Sequence, residues 1–91
     1  MIELRLLEQL VAFAEYGTLS AVAEVLLISQ PTLTRSMKQL EDELGIKLFI
    51  RGGNHISLNE TGRHASEYAK QVLSTAKDFE TKIKAYDRSL H

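Results

Sequence analysis

Residues 18 to 37 constrain the fold of this chain most. At the corner Leu26-Leu27-Ile28-Ser29-Gln30-Pro31-Thr32-Leu33-Thr34-Arg35, a mostly aliphatic segment gives way to one carrying hydroxyls, an amide and a cation. Ser29 has the character of an N-cap, because its hydroxyl can accept from a free first-turn amide and Pro31 follows where a missing amide hydrogen costs little. Ile28 before the cap and Leu33 after it have the spacing of a hydrophobic staple, which fixes the angle at which a chain enters a helix. Two short helices joined at a fixed angle, one supporting and one with a polar front, make a helix-turn-helix. That arrangement suits insertion of the second helix into a DNA major groove.

The flanking periodicity fits such a core. From Glu3 to Tyr16, Leu4, Leu7, Val11 and Ala14 recur at helical spacing, and Leu6, Leu10 and Phe13 widen the stripe. Gly17 ends this helix, and Thr18 or Ser20 can cap the next, a short apolar support from Leu19 to Leu27. The third helix runs to Leu44 and stops at Gly45. The pattern then turns to alternation, so that Lys47 to Arg51 and His55 to Leu58 read as two strands around Gly52-Gly53-Asn54. Two strands alone are marginal in water. They become stable as a wing against the helices, with Leu48, Ile50, Ile56 and Leu58 expected to be partly buried.

The last third reads as one long helix capped by Asn59 or Thr61. Along it Ala65, Ala69, Val72, Ala76, Phe79, Ile83, Tyr86 and Leu90 alternate in steps of four and three, which is a heptad seam. A helix of about 28 residues is about 42 Å long, more than a small domain can cover, so the seam predicts a second copy of the chain. Its small residues lead and its large ones follow, which lets an antiparallel pair match large against small.

Composition limits the other possibilities. The 91 residues, 44% hydrophobic and 25% charged, suit one small globular domain with an appendage. With 11 basic against 12 acidic residues the net charge is −1, so DNA binding must rest on where the charges lie. No acid stands between Glu24 and Glu41, whereas Arg35 and Lys38 fall inside that window and Lys47 and Arg51 follow it. The run Glu41-Asp42-Glu43 lies at the far end of the third helix and is expected to point away from phosphate. There is no cysteine, and His55, His64 and His91 have no ligand-like spacing, so no metal or other cofactor is expected. No signal peptide and no membrane-spanning run is visible, which predicts a cytoplasmic protein. No nucleophile, base and orienting acid can be grouped, so an enzyme is not expected.

The residues expected to meet DNA lie at the front of the third helix: Ser29, Gln30, Pro31, Thr32, Thr34, Arg35 and Lys38. Gln30 can pair with adenine and Arg35 with guanine, while Pro31 and the methyls of Thr32 and Thr34 can touch a thymine methyl. Thr18 and Ser20 at the start of the second helix face the DNA backbone. In the wing, Arg51, Asn54 and His55 stand within reach of a minor groove or phosphate. Several of these residues also have purely structural uses: Ser29 caps, Pro31 starts a helix, and Lys38 can pair with Glu41 or Asp42.

Taken in order, Gly17-Thr18-Leu19-Ser20, Ala23-Glu24, Leu26, Ile28 to Arg35, Gln39-Leu40-Glu41, Glu43-Leu44-Gly45, Leu48-Phe49, Arg51 and Glu60-Thr61-Gly62 closely resemble the N-terminal domain of LysR-type transcriptional regulators. The resemblance implies a mainly α fold: a winged helix-turn-helix of three helices and a two-stranded wing in residues 1–59, then a dimerising linker helix in 60–91. It implies sequence-specific binding of partly palindromic double-stranded promoter or operator DNA by a homodimer, tetrameric in a full-length parent. It also makes Gln30, Pro31, Thr34 and Arg35 the usual base-touching positions. Two departures stand out. Asn54 and His55 occupy wing positions that are typically basic, and Ala21, Val25 and Leu27 replace basic or polar residues, so weaker binding with a shallow salt dependence is expected. The family pattern continues into an effector domain that these 91 residues do not include, so no small-molecule effector site is expected within them. Two alternatives are the similar DNA-binding domain of molybdate-responsive regulators and a winged-helix protein interaction module that never meets DNA.

Overall fold

The computed structural model describes residues 1–91 and contains four helices and one two-stranded sheet: α1 Leu4–Tyr16, α2 Leu19–Leu26, α3 Gln30–Leu44, β1 Phe49–Gly52, β2 His55–Leu58 and α4 Glu60–Leu90. This is the expected mainly α winged helix-turn-helix with its long terminal helix. Side-chain caps start three of the helices. Thr18 Oγ1 accepts from the Ala21 amide at 3.1 Å, Ser29 Oγ from the Thr32 amide at 3.2 Å, and Asn59 Oδ1 from the Gly62 amide at 2.7 Å. Of the paired candidates, Thr18 and Asn59 therefore cap, and Ser20 and Thr61 do not.

The ends follow from positive φ. Gly17 (φ 82°) and Gly45 (φ 72°) stop α1 and α3 in the left-handed region that glycine enters freely. At the helix-turn-helix corner the left-handed residue is Leu27, with φ 58°, so α2 ends one residue earlier than the hydrophobic pattern suggests. The Leu27 and Ile28 amides both reach back to the Ala23 carbonyl, a helix stop that turns the chain sharply enough for Ser29 to begin α3.

One core unites the elements. Leu6, Leu10 and Phe13 of α1 meet Val22 and Ala23 of α2 and Leu33, Met37 and Leu40 of α3, with Leu48, Phe49 and Ala69 closing the cluster. The Phe13 and Phe49 rings meet edge-on, 5.1 Å apart at 72°, a favoured aromatic arrangement. Arg5 also ties α1 to α3, reaching Ser36 Oγ and Gln39 Oε1 at 3.4 Å each while its Nε bonds Glu3 at 2.7 Å.

The wing differs from its sequence reading. Strand β1 begins at Phe49 rather than Lys47, and the antiparallel register pairs Phe49 with Leu58, Ile50 with Ser57 and Arg51 with Ile56. Cross-strand partners share a face, so Phe49, Arg51, Ile56 and Leu58 turn inward. Ile50, expected to be partly buried, is 58% exposed. Leu48 is buried as expected, but it precedes the strand and lies outside its alternation.

Helix α4 joins the core by its first turns only. Gly62, Ser66 and Ala69 are buried, and Ala65 packs against the cluster. Beyond them Val72, Phe79, Ile83, Tyr86 and Leu90 are exposed, and the molecule extends 57 × 26 × 19 Å. Gly62 marks the tightest approach. A methyl there would strike the Leu48 carbonyl oxygen and come within 2.9 Å of Leu58 Cδ2. The Leu48 carbonyl is itself fixed by the Asn59 amide at 2.9 Å, so it cannot retreat. Alanine normally gains about 1 kcal/mol over glycine inside a helix. Here the sign reverses: Gly62→Ala is expected to cost roughly 1–3 kcal/mol from overpacking, read as a melting temperature lower by about 4–8 °C per kcal/mol.

Candidate nucleic-acid interface

Helix α3 sorts its residues cleanly. Leu33, Ser36, Met37, Leu40 and Glu41 face inward, whereas Ser29, Gln30, Pro31, Thr32, Thr34, Arg35 and Lys38 are exposed. All the side chains singled out at the front of this helix thus share its open side. The first-turn amides also leave partial positive charge at this end, which favours an anion such as phosphate.

Three of these residues are joined. Ser29 Oγ donates to Thr32 Oγ1 at 2.8 Å, and Arg35 Nη2 donates to the same oxygen at 3.3 Å. Lys38 stands one turn further on with its ammonium 3.4 Å from the Asp42 carboxylate, an exposed pair worth only a few tenths of a kcal/mol. Gln30, Pro31 and Thr34 have no side-chain partner within the chain and are free to meet a ligand. Thr18 spends its hydroxyl as acceptor on the α2 cap, and Ser20 is exposed beside it.

The wing residues separate into tip and base. Asn54 and His55 lie exposed at the turn, where Gly53 takes φ 56°. Arg51 instead lies at the base, with Nη2 3.1 Å from Glu41 Oε1 and its guanidinium 5.7 Å from the Phe49 ring centre. A cation expected to extend toward DNA thus has an internal partner.

That partner was not anticipated. The run Glu41-Asp42-Glu43 is expected only to point away from phosphate, yet the Glu41 side chain is 1% exposed. Its Oε2 accepts from the amides of Leu48 and Phe49, at 2.8 and 3.2 Å, so one carboxylate fastens the end of α3 to the start of the wing. Burial alone would raise the Glu41 carboxyl. The Leu48 amide, the Arg51 guanidinium and the Phe49 amide outweigh burial and hold the group below the ordinary carboxylate range. The signal was present in the sequence, since 41 continues the buried 33, 37, 40 stripe of α3.

No group of three His, Asp or Glu side chains converges on a common point, and no helix is long and apolar enough to cross a membrane.

Comparison with known proteins agrees with this geometry. Residues 4–63 match the family described as bacterial regulatory helix-turn-helix protein, lysR family. The SDS degradation transcriptional activation protein of Pseudomonas sp. (strain ATCC 19151) is 42% identical over 73 residues, 80% of this chain and 24% of that protein. The RuBisCO operon transcriptional regulator of Allochromatium vinosum is 34% identical over 79 residues, 87% of this chain and 26% of that one. The chain spans about a quarter of the length of these curated relatives. Among solved structures, the complex of BenM_DBD with catB site 1 DNA superposes with a TM-score of 0.90 at 33% identity, covering 99% of this chain and 97% of that one. The CbnR_DBD–DNA complex gives 0.87 at 35% identity over 93% and 98%. Full-length CbnR, described as a LysR family transcriptional regulator, gives 0.85 at 36% identity over 92% of this chain and 29% of its own. The matched residues run from the start of α1 into the first turn of α4 and so take in the core, the corner and the wing; this chain belongs to the LysR family of bacterial regulatory helix-turn-helix proteins.

Proposed function

We propose that this chain is the sequence-reading part of a bacterial transcriptional regulator that acts in the cytoplasm, and that it binds double-stranded promoter or operator DNA as a homodimer. The observation that carries the proposal is the open, polar front of α3 on a helix whose opposite face is buried in the core, together with the DNA-bound state of the neighbours BenM_DBD and CbnR_DBD. Residues 1–59 form the reader and 60–91 the linker. Gln30, Thr34 and Arg35 meet base edges, Pro31 and the threonine methyls meet thymine, and Ser29, Thr18, Ser20 and Lys38 face the sugar-phosphate backbone. Asn54 and His55 approach the flanking minor groove, and Arg51 supports the wing from beneath. The exposed half of the α4 seam pairs antiparallel with its copy. Because Ala69 is buried in the chain's own core and Ala65 packs against it, the large residues Phe79, Ile83, Tyr86 and Leu90 meet only the later part of the partner's seam, from Val72 and Ala76 onward, and the two α3 helices meet half-sites one helical turn, about 34 Å, or a multiple of it apart. In a longer parent carrying an effector domain, such dimers assemble into tetramers. The role is recognition, not catalysis.

Selection of bound sequences from a random duplex pool tests this reading, with a partly palindromic consensus as the expected result. Arg35→Ala is expected to lose about 1–3 kcal/mol on the selected duplex and to relax preference at one position per half-site. A chain that selects nothing, or that enriches the same consensus without Arg35, contradicts it.

A wing tip without arginine or lysine has a measurable consequence. Each phosphate contact contributes about 0.9 to the slope of log affinity against log salt. Placing arginine at both Asn54 and His55 adds two cations per protomer, so the variant dimer should bind more tightly in dilute buffer and steepen that slope by about 3–4. Titration across a salt series measures both, and an unchanged slope would remove the wing from the interface.

A further inference from the structure

Thr32 lies exposed in the first turn of α3, at the centre of the three-residue network. A hydroxyl oxygen has two acceptor lone pairs and one proton to donate. At Thr32 Oγ1 both acceptor positions are filled from within the chain, by Ser29 Oγ at 2.8 Å and Arg35 Nη2 at 3.3 Å. Ser29 spends its proton on Thr32 and accepts from the Thr32 amide. What Thr32 has left for a ligand is a single O–H donor. Arg35 carries only N–H donors. The cluster therefore offers the groove a donor array, with the guanidinium already held in place.

From this we infer that Thr32 is a positioning and specificity-determining residue: its hydroxyl fixes the Arg35 guanidinium, and the two together select guanine. Guanine is the base whose major-groove edge presents two acceptors, O6 and N7, side by side; adenine places an amino donor next to N7, where it would meet another donor. Holding the long Arg35 side chain before contact reduces the ordering that DNA binding must impose on it. Read along the chain, Thr32 contributes only a methyl for thymine, because the bond to Arg35 becomes visible only once the side chains are placed. The inference rests on the reading of α3 as the DNA-reading helix.

Selection from a random duplex pool, followed by titration of the selected duplex and its single-base variants, tests it in the full chain. The proteins compared are the wild type, Thr32→Val, Thr32→Ser and Arg35→Ala. Valine keeps the shape of threonine, and its amide still donates to Ser29, so the cap and the thermal melt should be preserved. Wild type is expected to select guanine at one position per half-site. Thr32→Val should flatten preference at that position about 5-fold or more, leaving the other positions and the salt slope unchanged. Thr32→Ser should restore the preference, and Arg35→Ala should flatten the same position. Full discrimination by Thr32→Val overturns the inference, as does failure of serine to rescue it. So does any base other than guanine at the Arg35-dependent position, or an effect of Thr32→Val at a position different from that of Arg35→Ala. If the wild type selects no sequence at all, the DNA-reading proposal itself fails and the role of Thr32 fails with it; a selective wild type with an indifferent Thr32→Val removes the role of Thr32 alone.

Discussion

Glu41→Ala should cost this fold about 2–6 kcal/mol, because it leaves two buried backbone amides unsatisfied at about 1–3 kcal/mol each, whereas the Arg51 side chain is 40% exposed and can turn to water. The substitution leaves the Leu48 and Phe49 amides without their acceptor and the Arg51 guanidinium without its counterion. A small domain holds only about 5–15 kcal/mol in all, so the loss removes a large share of its stability. Chemical denaturation at fixed protein concentration measures it, and a midpoint within error of the wild type would show that the carboxylate is not what joins wing to helix. The same group sets an acid limb. Its folded pKa lies below the ordinary value of about 4.3, so the folded state favours the ionised form. Its stabilisation is complete above the unfolded pKa and is lost as pH falls through the lower folded value. Glu41→Ala should therefore flatten the dependence of stability on pH in that acidic window and leave the neutral range without slope from this group.

Ile83→Asp should separate the proposed dimer while sparing the reader. Ile83 lies on the projecting part of α4, far along the chain from the buried turns at Gly62, Ser66 and Ala69, and is itself half exposed. The single chain thus loses little when it changes. A pair of helices meeting along Phe79, Ile83 and Tyr86 would instead have to bury a carboxylate with no partner, which is costly. Sedimentation should find monomers. Affinity for a two-half-site duplex should fall by about 10²- to 10⁴-fold, because linkage no longer makes the second contact intramolecular. Affinity for one isolated half-site should change little. Helical signal should also drop somewhat, since a projecting helix without a partner frays. A variant that stays dimeric would place the interface elsewhere.

What the sequence made legible was what neighbours along the chain decide. Ser29 could be identified as a cap, and Thr18 and Asn59 each as one of two candidates, because a cap needs only a side-chain oxygen and the next turn's amides. The exposed front of α3 followed from its buried positions, which leave the opposite side polar. The heptad seam was visible from spacing, but not where its cover ends. Packing on α1 extends past Ala65 and Ala69, then stops, and that limit depends on the length of a helix distant in sequence.

What could not be read depends on residues far apart. The inward face of β1 was assigned from alternation counted through Leu48, whereas Glu41 anchors the Leu48 and Phe49 amides together and places two consecutive residues inside. Charge encouraged reading Glu41 together with its acidic neighbours although its position on α3 was a core position. Arg51 and Arg5 each found partners across the fold, and periodicity records which way a side chain faces without naming what it meets. Leu27 is a subtler case. Glycine or asparagine usually marks a left-handed stop, so an aliphatic residue at that place concealed the end of α2.

The attachment of α4 has a geometric consequence for the proposed dimer on DNA. Asn59 caps that helix while its side-chain amide holds the Lys47 carbonyl at 3.0 Å and its backbone amide holds Leu48, and Gly62 lies flush against the same strand entry. These contacts tie the rod to the head it carries. The distance and rotation between two reading heads would then be built into the protein as in a fixed-jaw gauge, and a mis-spaced site would have to be accommodated by deformation of the duplex, at about 1–6 kcal/mol for a bend of 40–90° over 20–30 base pairs.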